Sequence, residues 1–249
     1  MKVTVCELSN DMKTLEGQWT GLVAHVSALG SDLVLLPEMP FYTWLAGRRE
    51  VDVNLWQTAV QVHDTWIKRF NELSPATIAG TRPVTKQGKR LNEAFVWTQS
   101  EGYQAVHTKY YLPDEPDFWE ASWYARGNGR FETIKTENGR IGFLICTELW
   151  FNAHARTYAK EGIQLLLCPR ATPKSTTDKW LAGGRTAAVV AGAYCLSSNL
   201  GGGQGWIIEP EEGKVLGVTD GKRPFLTIEI DLTHADKSKQ TYPRYVQDN

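Results

Sequence analysis

The sequence predicts an α/β fold in which helices cover β-sheets. Short apolar strands alternate along the chain with segments whose apolar residues recur at helical spacing, which is typical of layered α/β proteins. The chain has 249 residues, of which 42% are hydrophobic and 22% charged, enough to bury one substantial core or two sheets. No internal repeat, low-complexity tract or Pro/Ser-rich linker interrupts the pattern. We therefore expect one domain, residues 1–249.

The first third of the chain predicts two strands and two helices. A strand over Val3–Leu8 is followed by a helix over Thr14–Leu29, whose apolar residues lie at helical spacing, and Gly30 marks its end. A second strand over Leu33–Leu36 leads into an aromatic segment and a helix near Val53–Leu73.

The middle and the end of the chain continue the alternation. Strands are expected over Thr77–Gly80, Leu91–Thr98 and Tyr103–His107, with Gly88 and Gly102 in the turns between them. An apolar strand beginning at Gly139 precedes the elements of the last third. These are helices around His154–Glu161 and Asp178–Ala191, and strands over Ile163–Cys168, Ala193–Ser197, Gly205–Glu209, Val215–Val218 and Phe225–Ile230. Pattern alone does not separate a doubly wound sheet from a four-layer α-β-β-α sandwich.

Charge and hydropathy exclude several classes of partner. The formal net charge is −1 and the Lys and Arg residues are dispersed, so no basic field exists to hold nucleic acid or an anionic membrane surface. No stretch approaches the length of a signal h-region or a membrane span. We expect a cytoplasmic protein that binds neither nucleic acid nor membrane.

The cysteines do not form a metal or disulfide pattern. The four cysteines lie far apart, without a Cys-x-x-Cys pair or histidines at metal-ligand spacing, so neither a metal nor a cofactor is expected. Cys6, Cys168 and Cys195 lie inside apolar runs, which favours core packing.

Three strands each end at a reactive group. The apolar run Gly139–Ile145 stops at Cys146, and the run Leu33–Pro37 stops at Glu38. A third strand, Tyr103–His107, is followed by Lys109. Taken singly, a buried cysteine, a capping carboxylate and an exposed lysine are the simpler interpretations, but together the three indicate a nucleophile, a proton carrier and a cation.

These segments resemble the nitrilase (carbon-nitrogen hydrolase) superfamily over nearly the whole chain. Leu36-Pro37-Glu38 matches the family's first glutamate motif, Lys109-Tyr110-Tyr111-Leu112-Pro113 its lysine motif, and Leu144-Ile145-Cys146-Thr147-Glu148 its cysteine motif. Phe118–Tyr124 is similar to the segment that carries a second glutamate. The resemblance implies the four-layer α-β-β-α sandwich of the nitrilase type and, as in many relatives, a homodimer.

The resemblance also implies a role for each catalytic candidate. Cys146 attacks a carbonyl carbon, Glu38 carries its proton, and Lys109 with the backbone N–H of Thr147 stabilises the oxyanion. Glu120 holds Lys109 in position. Its rivals are the neighbouring acids of a Pro-flanked turn, Asp114, Glu115 and Asp117. For Glu148 we favour a structural role, either in the helix dipole or in orienting the nucleophile loop.

Residues near these candidates are expected to bind the substrate. Aromatic residues within a few positions of the catalytic set are candidate pocket walls, namely Tyr42, Trp44, Tyr111, Trp119, Trp123, Trp150 and Phe151. Arg170 suits bidentate recognition of a substrate carboxylate, and an ordinary surface salt bridge is its alternative role.

The expected function is hydrolysis of a non-peptide C–N bond in a small amide or N-carbamoyl compound, through a Cys146 thioester and with release of ammonia or an amine. Two alternatives stay open: a nitrilase that converts a small nitrile to an acid and ammonia, and a non-catalytic ligand-binding member of the fold. A thiol redox protein is disfavoured because no resolving cysteine lies nearby.

Overall fold

The computed structural model describes residues 1–74 and 76–246, and in this part of the chain twelve strands form two six-stranded mixed sheets. The first sheet contains β1 (Lys2–Leu8), β2 (Leu33–Leu35), β3 (Thr77–Lys86), β4 (Lys89–Thr98), β5 (Gly102–Thr108) and β12 (Phe225–Glu229). The second contains β6 (Ile134–Thr136), β7 (Gly139–Phe143), β8 (Leu165–Ala171), β9 (Tyr194–Leu200), β10 (Trp206–Ile208) and β11 (Val215–Val218).

Each sheet has a parallel centre and antiparallel edges. The first sheet has the order β5-β4-β3-β2-β1-β12, in which β1, β2 and β3 run parallel. The second has the order β6-β7-β8-β9-β10-β11, in which β7, β8 and β9 run parallel. The end of β1 also pairs with the end of β9, at Glu7 with Asn199 and Leu8 with Leu200, which joins the two sheets.

Four helices cover the outer faces of the two sheets, namely α1 (Leu15–Leu29), α2 (Val53–Ile67), α4 (Asn152–Lys160) and α5 (Thr177–Ala191). The two short helices lie elsewhere: Trp123 of α3 (Glu120–Trp123) belongs to a separate buried cluster with Trp56, and Ala235 of α6 (Leu232–Ser238) belongs to the core between the sheets. Buried side chains of α1, such as Trp19 and Leu22, pack on Val34 of the first sheet. Tyr158 of α4 and Ala187 of α5 pack on the second sheet.

A continuous core lies between the inner faces of the sheets. Val5 and Leu35 of the first sheet belong to the same buried cluster as Phe143, Leu167 and Leu196 of the second. Burying this apolar surface on both sides is the main driving force for stacking the sheets. The order of layers is therefore α-β-β-α, and the predicted sandwich is confirmed.

Local sequence signals fix two helix ends, of which the end of α1 at Gly30 was predicted. Gly30 adopts φ 64°, and its N–H bonds to the Val26 carbonyl, which ends α1. At the start of α2, the Asp52 carboxylate accepts hydrogen bonds from the N–H groups of Asn54 and Leu55.

Two elements differ from their predicted bounds. The helix predicted over Val53–Leu73 ends at Ile67, and a 3-10 turn follows over Phe70–Leu73, where Phe70 is fully buried and stacks on Phe95 with 5.6 Å between ring centroids. The strand predicted to end at Cys168 continues through Pro169 to Ala171. Its pairing with β7 ends at Leu167, so the missing N–H of Pro169 does not interrupt that ladder.

One short strand, β6, and two short helices, α3 and α6, were not predicted from the sequence. In the described residues, no helix is long and apolar enough to cross a membrane.

Candidate active site

The fold brings Glu38, Lys109, Glu120 and Cys146 together in one buried cluster. Glu38 follows β2, Lys109 follows β5, Cys146 follows β7, and Glu120 begins α3. Lys109 Nζ lies 2.7 Å from Glu38 Oε1 and 2.8 Å from Glu120 Oε1. Each of these side chains is almost inaccessible to solvent. The lysine is thus held between two carboxylates, as the resemblance implies.

Lys109 keeps its charge although it is buried. Burial alone would lower the pKa of its ammonium, but the charges of Glu120 and Glu38 raise that pKa well above its ordinary value. A charge-assisted hydrogen bond to each carboxylate also fixes the direction of the side chain. The site therefore contains a permanent cation at a fixed position.

The two oxygens of Glu38 have different surroundings. Oε1 accepts hydrogen bonds from Lys109 Nζ and, at 2.8 Å, from Asn92 Nδ2. Oε2 is buried and has no hydrogen-bond partner among the described residues. One oxygen is therefore held by donors while the other remains free to accept a proton.

Asn92 is a site residue that sequence reasoning missed. It lies in β4, is 1% exposed, and its backbone carbonyl accepts a hydrogen bond from the Lys109 N–H at 2.9 Å. The only signal in the sequence is a polar residue at a buried position of an apolar strand, and that signal does not distinguish a functional asparagine from a structural one.

Cys146 is placed by an unusual backbone conformation. Its φ is 47°, a left-handed value that is uncommon for a residue with a side chain, and it begins the 3-10 turn Cys146–Trp150 directly after the strand end. Burial, followed by the charge of Glu38, raises the pKa of the thiol to about 12. The thiol is thus protonated at neutral pH, and attack by its sulfur requires a base.

One backbone N–H adjoins the sulfur. The Ala171 N–H forms a hydrogen bond with Cys146 that lowers the pKa of the thiol in part. Thr147, the predicted oxyanion donor, is half-buried and occupies the second position of the 3-10 turn. The first N–H groups of a helical turn have no carbonyl partner inside the turn, which makes them available to an anion.

Glu120 is the acid that the structure brings to Lys109. It is fully buried, and burial raises the pKa of its carboxyl above the ordinary value, an effect that the Lys109 ammonium opposes. Its rivals Asp114, Glu115 and Asp117 are exposed. Trp119, the preceding residue, donates its N–H to the Ala46 carbonyl at 2.8 Å, which fixes the start of α3.

Tyr124 is a second residue that sequence reasoning missed. Its hydroxyl is buried and has no hydrogen-bond partner among the described residues. Burial and the charges of Glu120 and Glu38 raise the pKa of the phenol well above its ordinary value, so the hydroxyl stays neutral and can donate a hydrogen bond.

A cavity of about 300 Å³ adjoins the cluster. Its lining includes Ala171, which contacts Cys146, and Asp117 and Phe118, which precede Glu120. Trp44, one of the aromatic candidates, lines the same cavity. This cavity is our candidate for the substrate pocket because it is lined by Ala171, the backbone partner of Cys146, and by the segment that directly precedes α3.

The other aromatic candidates do not line this cavity. Trp123 is fully buried, and its indole N–H bonds to the Arg48 carbonyl at 2.7 Å, which makes it a core residue rather than a wall of the pocket. Trp119 and Tyr42 are half-buried and pack against the hydrophobic cluster that contains Trp123. Trp150 is 38% exposed and packs against Trp180 of α5, with 5.1 Å between ring centroids.

Arg170 is not placed to meet a substrate carboxylate. Its side chain is fully buried, and its nitrogens donate to Ser197 Oγ at 2.7 Å, to Thr172 Oγ1 at 2.6 Å and to the Gln204 carbonyl. Its guanidinium also lies 3.9 Å from the centroid of the Trp206 ring. These contacts correct the expected binding role, because each nitrogen has an internal partner and Arg170 instead supports the end of β8.

A comparison with protein families matches almost the whole chain. The family described as "Carbon-nitrogen hydrolase" matches residues 2–240, a range that contains Glu38, Lys109, Glu120 and Cys146. Among curated proteins, a citrullinase from Francisella tularensis is 23% identical over 181 residues, which cover 69% of this chain and 61% of the relative. The omega-amidase NIT2 from Homo sapiens is 26% identical over 191 residues, covering 71% of this chain and 68% of the relative.

Solved structures show the same fold. A carbon-nitrogen hydrolase from Helicobacter pylori G27 superposes with a TM-score of 0.86 at 19% sequence identity, over 98% of this chain and 94% of the other. The match with the citrullinase spans about three fifths of that relative's length.

Proposed function

We propose that this chain, which belongs to the carbon-nitrogen hydrolase family, is a thiol hydrolase that cleaves a non-peptide C–N bond of a small amide or N-carbamoyl compound. The observation that carries the proposal is the buried contact of Lys109 with both Glu38 and Glu120, next to a cysteine at a strand end. Hydrolysis at a C–N bond is the activity of the family. The cysteine mechanism and the substrate class are parts of the proposal.

The first step forms a thioester. Cys146 Sγ attacks the carbonyl carbon while Glu38 Oε2 takes the thiol proton, and the carbonyl π electrons move to oxygen. The oxyanion is stabilised by the Lys109 ammonium and by the N–H of Thr147. When this tetrahedral intermediate collapses, the C–N bond breaks and Glu38 gives its proton to the departing nitrogen.

The second step returns the enzyme to its starting state. Glu38 takes a proton from a water molecule as that water attacks the thioester carbon. The C–S bond then breaks, the sulfur recovers the proton from Glu38, and the acid is released. In each of the two steps, Glu38 thus accepts one proton and gives it up again. The free Oε2 of Glu38 can carry this proton.

Glu120 acts by positioning in this scheme. Its carboxylate and that of Glu38 hold the Lys109 ammonium from two sides, so the cation is directed before the oxyanion forms. Preorganised charge of this kind accelerates a reaction because the site does not need to reorganise during the chemical step.

The proposal also covers domain organisation, location and oligomeric state. We propose a single catalytic domain over residues 1–249, of which 75 and 247–249 lie outside the described residues. We further propose that the protein is cytoplasmic and forms a homodimer. They rest on the sequence and on the family resemblance.

Ammonia release from a panel of small amides, N-carbamoyl compounds and nitriles tests the proposal. We expect turnover of a member of the first two classes by the wild type, none by Cys146→Ala, and a loss of about a hundredfold or more in kcat for Glu38→Gln. Cys195→Ala, which changes another buried cysteine, is the matched control and retains activity.

Three results would replace the proposal. Turnover of nitriles alone would identify a nitrilase. Equal ammonia release by wild type and Cys146→Ala would show that Cys146 is not the nucleophile. Binding of the compounds without turnover in any class would identify a non-catalytic ligand-binding protein.

A further inference from the structure

Outside the catalytic cluster, the structure contains a buried pair of titratable residues, His107 and Glu148. His107 Nε2 lies 2.9 Å from Glu148 Oε2 and 3.1 Å from Oε1, and both side chains are inaccessible to solvent. His107 precedes Lys109 by two residues, and Glu148 follows Cys146 by two residues. The pair therefore lies close to the ends of β5 and β7, which Lys109 and Cys146 follow.

The contacts of the pair determine where its protons are. His107 Nδ1 lies 3.0 Å from the Arg130 carbonyl oxygen, which accepts hydrogen bonds and donates none. On its other side, Nε2 faces a carboxylate whose two oxygens already accept backbone N–H groups. Both ring nitrogens must therefore donate, which requires an imidazolium beside a carboxylate.

Glu148 also links the two catalytic segments through their backbones. Its Oε1 accepts the N–H of Tyr110, the residue after Lys109, at 2.7 Å. Its Oε2 accepts the N–H of Ile145, the residue before Cys146, at 2.9 Å. Because β5 belongs to the first sheet and β7 to the second, one carboxylate joins the two sheets at the active site.

The groups around His107 favour its charged form. Burial by itself lowers the pKa of His107, but the charge and hydrogen bond of Glu148, with smaller effects from the Arg130 carbonyl and from Glu132, raise that pKa above its ordinary value. His154 of α4 lies close enough to interact with both members of the pair, and Tyr158 of the same helix interacts with Glu148. The Phe131 ring packs against the imidazole, with 4.6 Å between ring centroids.

We propose that His107 and Glu148 form a positioning ion pair which fixes the spacing of Lys109 and Cys146, and that full activity requires the proton on His107. The reasoning rests on the proposed function, because positioning matters only if these two residues react. When His107 loses its Nε2 proton, the ring presents a lone pair to the Glu148 carboxylate. The resulting repulsion moves the carboxylate and the two N–H groups that it holds.

Two variants separate positioning from folding. Glu148→Gln keeps the shape of the side chain but removes the charge, and its amide NH2 cannot accept one of the two backbone N–H groups that Glu148 accepts. His107→Gln has one donor nitrogen where the imidazolium has two on opposite sides of the ring. His25→Gln is the matched control, since His25 is a partly buried histidine far from the site that bonds to Thr227 Oγ1.

We expect Glu148→Gln to lower kcat about a hundredfold, the loss that a misplacement of about 1 Å causes, with a change of less than about threefold in KM. Wild-type kcat falls at alkaline pH as His107 loses its proton, and this decline is absent from the profile of His107→Gln. His25→Gln keeps the wild-type rate and profile. Circular dichroism establishes that each variant is folded.

Two readouts need no substrate. Nitrogen-15 spectra of the wild type should show both ring nitrogens of His107 protonated at pH 7.5, and iodoacetamide should alkylate Cys146 at least about tenfold more slowly in Glu148→Gln, because the thiol proton is then poorly placed for Glu38. All four cysteines are buried, and labelling of Cys146→Ala measures the background alkylation of the other three.

A neutral His107 at pH 7.5, or wild-type kcat and alkylation rates in folded Glu148→Gln, would overturn the inference. Failure of the proposed function looks different. In that case the wild type releases no ammonia from any substrate. The nitrogen-15 spectra still show whether His107 is protonated, and the alkylation rates still show whether Glu148 positions Cys146.

Discussion

At the scale of single residues, the chemistry depends on how neighbours set the proton on Cys146. Burial raises the pKa of the thiol to about 12, so the resting sulfur is neutral and the site must deprotonate it during attack. Glu38 has one oxygen held by Lys109 and Asn92 and one oxygen free. In the proposed mechanism, this division of tasks within one carboxylate lets a buried cysteine act as a nucleophile without a histidine partner.

Removing the amide of Asn92 tests this division. Asn92→Ala deletes one of the two donors to Glu38 Oε1, so we expect the carboxylate to lose its fixed direction and kcat to fall about tenfold. The backbone bond from Lys109 to the carbonyl of residue 92 remains. Steady-state kinetics measure the loss, and a rate within twofold of wild type would show that Asn92 does not orient the base.

Removing the cation has a larger effect. Lys109→Ala deletes a donor to the oxyanion and leaves Glu38 and Glu120 facing each other without a counter-charge. We expect kcat to fall about a hundredfold or more and the free energy of unfolding to fall by about 3–5 kcal/mol, because buried charge is left unpaired. Kinetics and urea denaturation measure the two effects. Lys89→Ala, at an exposed position, is the control, and normal turnover by Lys109→Ala contradicts the assignment.

The sequence was sufficient to propose the four catalytic candidates but not the buried residues that contact them. Glu38, Lys109, Glu120 and Cys146 could be proposed because each lies in a motif with a recognisable order along the chain. Asn92 and His107 are buried polar residues whose partners, Glu38 and Glu148, come from distant parts of the chain. Arg170 was misread for the same reason, since its partners Ser197 and Gln204 are brought to it only by folding.

At the scale of elements, α5 packs closely on the second sheet and on the 3-10 turn Cys146–Trp150. The helix approaches through two consecutive glycines: a Cβ at Gly183 would lie 2.8 Å from the Trp150 ring, and one at Gly184 would lie 2.9 Å from the Trp206 ring. Trp206 is fully buried and packs on Arg170. These glycines let the helix lie close to the turn that begins at Cys146.

A pair of glycine substitutions measures this packing. Gly184→Ala forces the buried Trp206 ring to move, and we expect a loss of about 1–3 kcal/mol in the free energy of unfolding. Gly17→Ala, in α1 with no atom within 4 Å of the added Cβ, is the control and should gain up to about 1 kcal/mol from helix propensity. Thermal or urea unfolding compares them, and equal stabilities for the two variants would contradict the packing argument.

Element bounds could be predicted only where local signals mark them. Gly30 marks the end of α1 as expected, but nothing in the local pattern shows that the predicted helix over Val53–Leu73 breaks before Phe70. There the burial of Phe70 against Phe95 overrides the helical periodicity. In the same way, Pro169 suggests a strand end, whereas pairing with β9 continues beyond it.

At the scale of the whole molecule, two stacked sheets bring distant strand ends to one place. Alternation of helices and strands predicts layers, but it is shared by the doubly wound sheet and the sandwich. Only long-range contacts between the inner faces, such as Val5 and Leu35 with Phe143 and Leu196, distinguish the two. The choice therefore came from the family resemblance and not from the pattern.

The buried ion pair between the sheets makes global stability depend on pH. The pKa of His107 in the fold lies above its unfolded value of about 6.5. Its contribution to stability is therefore complete below about pH 6.5 and is lost as the pH rises through the folded-state pKa. We expect the free energy of unfolding of wild type to decline over this alkaline range more steeply than that of His107→Gln. Urea denaturation from pH 6 to pH 10 measures both slopes, and parallel slopes would contradict the expectation.

The central claim is that Cys146 forms a thioester with its substrate. Intact-protein mass spectrometry during turnover of an amide or N-carbamoyl compound tests it most directly, because the covalent intermediate adds the mass of the acyl group. We predict an adduct on the wild type that maps to the peptide containing Cys146 and is absent from Cys146→Ala. Turnover with an adduct on another residue, or an equal rate of ammonia release by Cys146→Ala, would contradict the claim.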